Sequence, residues 1–70
     1  MWTQGEINGY KYFAKVYHGG SHFGINEGQI SKLTIKKGDK MLYNFDRGLD
    51  FDNLDKEGKK VYLQILADHN

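Results

Sequence analysis

The sequence predicts an α+β fold, in which an antiparallel sheet of about four strands over residues 2–47 carries one C-terminal helix, about residues 54–67, on one face. Three observations predict it. Gly5, Gly9, Gly19-Gly20, Gly24, Gly28, Gly38 and Gly48 fall between short apolar segments at hairpin-like intervals. Residues 10–18 alternate with period two. From Leu54 the apolar period lengthens to that of a helix.

The first strand, Thr3 to Asn8, has weak strand propensity and is anchored by Trp2 and Ile7, which marks it as an edge. Asn8-Gly9 is a strong hairpin signal. Tyr10 to His18 then sets Tyr10, Tyr12, Ala14 and Val16 on one face, and Lys11, Phe13, Lys15 and Tyr17 on the other. The glycine-rich loop His18 to Gly28 is expected to fold down around Phe23 and Ile25. In Gln29 to Lys37, Ser31, Leu33 and Ile35 share one face, and Ile30, Lys32, Thr34 and Lys36 the other. After the turn at Lys37-Gly38-Asp39, the last strand runs from Met41 to Arg47, with Met41, Tyr43 and Phe45 alternating against Leu42, Asn44 and Asp46.

Leu54, Gly58, Val61, Tyr62, Ile65 and Leu66 form one face of an amphipathic helix. Asp52, Asn53 or Asp55 is its cap, and Gly58, a poor helix former, is justified by close approach to the sheet. The helix covers one face of the sheet and leaves the other open, and that open face is where function is expected.

Composition bounds the rest. Seventy residues form one small domain (1–70), and the absence of proline with 14% aromatic residues describes a chain built to fold. With no cysteine there is neither a disulfide nor a thiolate metal site, which fits a reducing, cytoplasmic setting. The apolar runs are far too short to span a bilayer, so no membrane partner is expected. A formal net charge of +1 argues for no polyanionic partner in bulk, so any charge argument is local.

No motif for catalysis, metal or phosphate binding stands out, so no cofactor, no metal site and no enzymatic activity are expected. His18-Gly19-Gly20-Ser21-His22 lacks an orienting partner for a nucleophile and is read as a solvated turn. The acidic segment 46–55 does not match a calcium loop and is read as helix capping with Asp46 or Asp50 paired to Arg47. Arg47 either bonds backbone carbonyls or presents its fork to a carboxylate or phosphate. Lys11, Lys15, Lys32, Lys36 and Lys37 interleave with Tyr10, Tyr12, Phe13 and Tyr17, a pattern that stacks bases and tracks phosphates or simply protects an exposed sheet. The binding candidates are therefore Arg47, Asp46, Asp50, Lys32, Lys15, Tyr12 and Tyr17.

The runs Ala14-Lys15-Val16-Tyr17, Ser21-His22-Phe23-Gly24-Ile25, Gly28-Gln29-Ile30-Ser31-Lys32-Leu33 and Asn44-Phe45-Asp46-Arg47-Gly48-Leu49-Asp50 resemble a small uncharacterised family of bacterial, phage and conjugative-element genomes. Its members read Gly-Arg-Ile-Ser-Lys-Leu and Tyr-Asp-Arg-Gly-Trp-Asp in the last two runs. Here Gln29, Phe45 and Leu49 replace the arginine, tyrosine and tryptophan. The resemblance implies a mobile-element setting and a compact domain, not a reaction. The expected function is a non-enzymatic module that contacts a host protein, with a nucleic-acid-binding accessory using the Lys/Tyr face as the alternative and a small hydrolase behind both. The edge strand Trp2 to Ile7 adds a homodimer to the partners considered.

Overall fold

The computed structural model describes residues 1–19 and 24–70, apart from the Glu27 side chain. Five antiparallel strands form a meander in sequence order: β1 (Trp2–Ile7), β2 (Tyr10–Val16), β3 (Ile30–Lys37), β4 (Lys40–Asp46) and β5 (Leu49–Asp52). A short 3-10 turn, Ile25–Glu27, precedes β3, and the helix α1 spans Lys56–His69. No helix among the described residues is long and apolar enough to cross a membrane.

The sheet thus has five strands where the sequence predicts about four. The additional strand, β5, lies inside the acidic segment read as turn and cap. Asp50 and Asp52 are poor strand formers, but both are exposed on an edge strand, where they remain hydrated. The helix begins at Lys56 rather than Leu54 because Asp55 is its cap: Asp55 Oδ1 accepts from Gly58 N at 2.7 Å.

Asn8 and Gly9 both take positive φ, 52° and 83°, which matches the right-handed twist of the β1–β2 hairpin. The register then pairs Ile7 with Tyr10 and Trp2 with Lys15. On the helix side Tyr10, Tyr12 and Ala14 of β2 lie beside Leu33 and Ile35 of β3, and Val61 and Ile65 of α1 close over them. Gly58 is buried against the sheet as expected: a Cβ there would lie 3.3 Å from the Tyr10 ring.

Two register shifts break the alternation read from sequence. One between Lys15 and Val16 buries Ile30 as well as Ser31, and one between Ile35 and Lys36 buries Leu42 next to Tyr43. Ile30 and Leu42 therefore belong to the core, not to the exposed face. At the far end Asn70 ties helix to sheet, its Oδ1 accepting from Ile30 N and its Nδ2 donating to Ile25 O, each at 2.9 Å.

Candidate functional site

The face away from α1 is organised as three cross-strand rows. The first is Trp2, Lys15, Lys32 and Asp46. The second is Gln4, Phe13, Thr34, Asn44 and Phe51. The third is Glu6, Lys11, Lys36 and Met41. Phe13 is 40% exposed and Trp2 60%, so both rings present surface to a ligand. The middle row is fixed by hydrogen bonds: Thr34 Oγ1 donates to Asn44 Oδ1 at 2.8 Å, and Asn44 Nδ2 donates to Asp50 Oδ2 at 3.1 Å.

On either side of Phe13 and Thr34, lysine faces lysine. Lys15 is directly opposite Lys32, and Lys11 directly opposite Lys36. Like charges in directly opposed positions destabilise a sheet. The first pair splays apart. Lys15 Nζ lies 5.9 Å from the Trp2 ring centroid and 5.3 Å from that of Tyr17, whereas Lys32 Nζ reaches Asp46 Oδ1 at 3.7 Å. Hydrogen bonding by Lys15 holds the Tyr17 phenol below the usual tyrosine range, against the opposing effect of its burial.

Arg47 borders this corner. Its Nε lies 3.4 Å from Asp46 Oδ1, and its backbone N donates to Ser31 O at 2.8 Å. Its φ of 57° is in the left-handed region, a strained conformation for a side chain other than glycine. Both ion pairs to Asp46 are half-exposed and contribute little to stability.

Of the seven residues singled out in the sequence, five lie along one end of the open face in two groups, Lys15 with Tyr17, and Lys32 with Asp46 and Arg47. Asp50 lies on the same face but is engaged by Asn44. Tyr12 lies on the opposite face, buried, with its hydroxyl 3.4 Å from His69 Nε2. Trp2 and Phe13 were not among the seven, yet the Asn8-Gly9 hairpin carries the signal. A two-residue turn between Ile7 and Tyr10 sets Trp2 opposite Lys15 by counting alone.

Two open hollows flank Phe13: one of about 410 Å³ bounded by Gln4, Glu6 and Lys11, and one of about 390 Å³ bounded by Trp2, Thr3 and Gln4. Of the histidine loop considered for hydrolysis, His18 borders a separate hollow of about 210 Å³, while Ser21 and His22 lie outside the described residues. Among the described residues no three His, Asp or Glu side chains converge on a point that would hold a metal ion.

A family model described as a domain of unknown function (DUF7678) matches residues 1–70, the length of this chain. No curated protein and no solved structure matches the chain. The chain belongs to the DUF7678 family.

Proposed function

We propose that this chain is a non-catalytic binding module whose open sheet face engages single-stranded nucleic acid. The observation that carries the reading is the pair of directly opposed lysine couples, Lys15/Lys32 and Lys11/Lys36, set on either side of the exposed Phe13. Opposed cations cost stability in the free protein, and a bound polyanion relieves that cost. An aromatic ring between them offers a sequence-tolerant stacking surface for a base. Trp2 and Tyr17 extend the platform around Lys15, and Arg47, beside Asp46 at the other end of that row, offers a guanidinium that suits a phosphate.

A host protein is the competing occupant of the same face. Lysine is depleted at the core of protein interfaces, and here lysines surround the centre of the face, so nucleic acid is the better fit. The mobile-element setting implied by the sequence resemblance accommodates either partner.

Trp2 is the sole tryptophan and sits in the first row, so it reports on the face directly. The test is a titration of Trp2 fluorescence with single-stranded and duplex oligonucleotides at about 50 and 200 mM salt. Quenching that is stronger with single strands and weakens steeply with salt supports the reading. A flat signal with every oligonucleotide at low salt overturns it. Capture of a lysate protein that survives nuclease and is lost on Arg47→Ala transfers the face to a protein partner.

A further inference from the structure

The edge strand β1 turns one set of backbone groups outward. Met1 and Val16 exchange two hydrogen bonds, from Val16 N to Met1 O at 2.7 Å and from Met1 N to Val16 O at 2.9 Å. Bonded and non-bonded pairs alternate along an antiparallel ladder. With the unbroken register from Trp2↔Lys15 to Ile7↔Tyr10, the backbone groups of Thr3, Gly5 and Ile7 are used on β2. Those of Trp2, Gln4 and Glu6 point away from the sheet.

Such edges are ordinarily blunted by lysine, proline, a bulge or short length. Residues 2–7 contain neither lysine nor proline, span six positions and pair with β2 without a register shift. The opposite edge is guarded: β5 has four residues, two of them aspartate, with a register shift beside it. One edge of this sheet is closed to pairing and the other is open.

We propose that β1 pairs antiparallel with β1 of a second copy about a two-fold axis through Gln4, joining two sheets into one. This register sets Gln4 opposite Gln4 and Trp2 opposite Glu6, so all three outward-pointing residues of each strand are bonded. Registers centred on Thr3 or Gly5 would use only two of the three, and a one-residue slip would put the open face of one copy beside the helix face of the other. The register also completes the charge pattern, because the partner's Glu6 carboxylate arrives at the Trp2 end of the row that holds Lys15 and Lys32. Among the described residues the helices leave the approach clear. Each helix sits over β2 and β3, which separates the two helices by about 19 Å at the usual strand spacing, more than a helix diameter of about 10–12 Å. The two Phe13 rings then lie about 14 Å apart on one continuous face.

The experiment is sedimentation equilibrium of the full chain without nucleic acid, over a wide concentration range, for wild type, Gln4→Pro and Gln4→Lys. Proline is tolerated where the strand N–H faces outward, so Gln4→Pro removes an intermolecular donor and no intramolecular one. Gln4→Lys opposes two ammonium groups across the axis and keeps the test open if the proline variant does not fold. The expected result is a concentration-dependent doubling of mass in wild type that folded Gln4→Pro abolishes and that Gln4→Lys shifts to higher concentration. A wild type that stays at the mass of one chain at every concentration overturns the proposal, as does a doubled mass whose concentration dependence Gln4→Lys leaves unchanged. Neither result depends on what the open face binds.

Discussion

Tyr10 and Asp55, forty-five residues apart, are joined by a 2.6 Å hydrogen bond from the phenol to Oδ1. That oxygen also caps α1 by accepting from Gly58 N. One carboxylate thus starts the helix and fastens it to the second strand of the sheet. The link has a pH signature at both ends of the range. The Tyr10 hydrogen bond and the Gly58 N–H hold the Asp55 carboxyl below its usual value. The same bond, with burial, pushes the Tyr10 phenol from 10.0 up to about 12.

For Asp55 the folded value is the lower one. Its contribution is present above the ordinary carboxylate range and is lost as pH falls through the depressed value. For Tyr10 the folded value is the higher one, so its contribution is intact below pH 10.0 and is lost as pH rises to about 12. Burial also pushes the Tyr43 phenol upward, so Tyr43 adds to the alkaline loss. Urea unfolding across pH should show Tyr10→Phe less stable at neutral pH, with a shallower but not absent decline between pH 10 and about 12. An unchanged alkaline limb would show that the bond does not form in solution.

Lys36→Thr should separate stability from binding. Removing one member of the Lys11/Lys36 couple relieves repulsion worth about 0.2–1 kcal/mol, and threonine suits a strand, so the urea midpoint should rise. The same change should lower the salt dependence of oligonucleotide affinity by about 0.7 in log–log slope, the share of one phosphate contact on a single strand. A variant that is more stable yet binds less well is the expected pair of results.

Phe13→Ala tests the stacking platform. Its ring is exposed on the open face and adds little to the core, so the fold should persist by circular dichroism. Oligonucleotide affinity should fall by about 1–3 kcal/mol with the salt slope unchanged, because a stacked base and not a phosphate contact is lost. Equal losses of slope and affinity would count against stacking.

Arg47 is held at a φ of 57°, and glycine adopts that conformation freely. Relief of about 1–3 kcal/mol of strain should outweigh the extra unfolded-state entropy of glycine, about 0.5–1 kcal/mol, so Arg47→Gly should be at least as stable as wild type. Oligonucleotide binding should weaken in the same variant. Lost stability together with full binding would make Arg47 a structural residue.

Gly5→Ala should destabilise the chain. A Cβ there would lie 2.8–2.9 Å from the Tyr12 hydroxyl and ring carbons, and Tyr12 is buried with its hydroxyl near His69. Overpacking costs about 1–3 kcal/mol, more than the roughly 0.5–1 kcal/mol gained by removing a strand glycine. The thermal midpoint should fall, and the Tyr12–His69 contact should be lost from NMR spectra.

Much of this architecture is readable in the chain because its signals are local. Asn8-Gly9, the alternation through Ala14, the helix stripe ending at Val61 and Ile65, and Asp55 as one of three candidate caps all depend on residues within one turn of each other. Ile30 and Leu42 are harder to read, because each is buried through a register shift that a neighbouring strand imposes. Leu49 and Phe51 are separated by a register shift that sets Leu49 opposite Phe45 and Phe51 opposite Asn44, so the strand has no unbroken two-residue period to read, and the aspartates between and after them mask it further. The candidate site is legible as composition and not as geometry: parity separates Tyr12 from Lys15, but only the paired register sets Lys15 opposite Lys32 and Lys32 opposite Asp46, beside Arg47.

A sheet whose five strands are neighbours in both sequence and space has consequences for how the chain folds. No connection needs a crossover, and three of the four are two-residue turns while the β2–β3 connection spans residues 17–29, so strand pairing can start at any of the tight turns. The contacts of α1 are the long-range ones, Asp55 and Asn70 meeting Tyr10 and Ile30 across some forty residues of chain, and they are expected to close last. Substitutions at those two latches should speed unfolding more than they slow refolding, leaving the helix as the gate through which the native state opens.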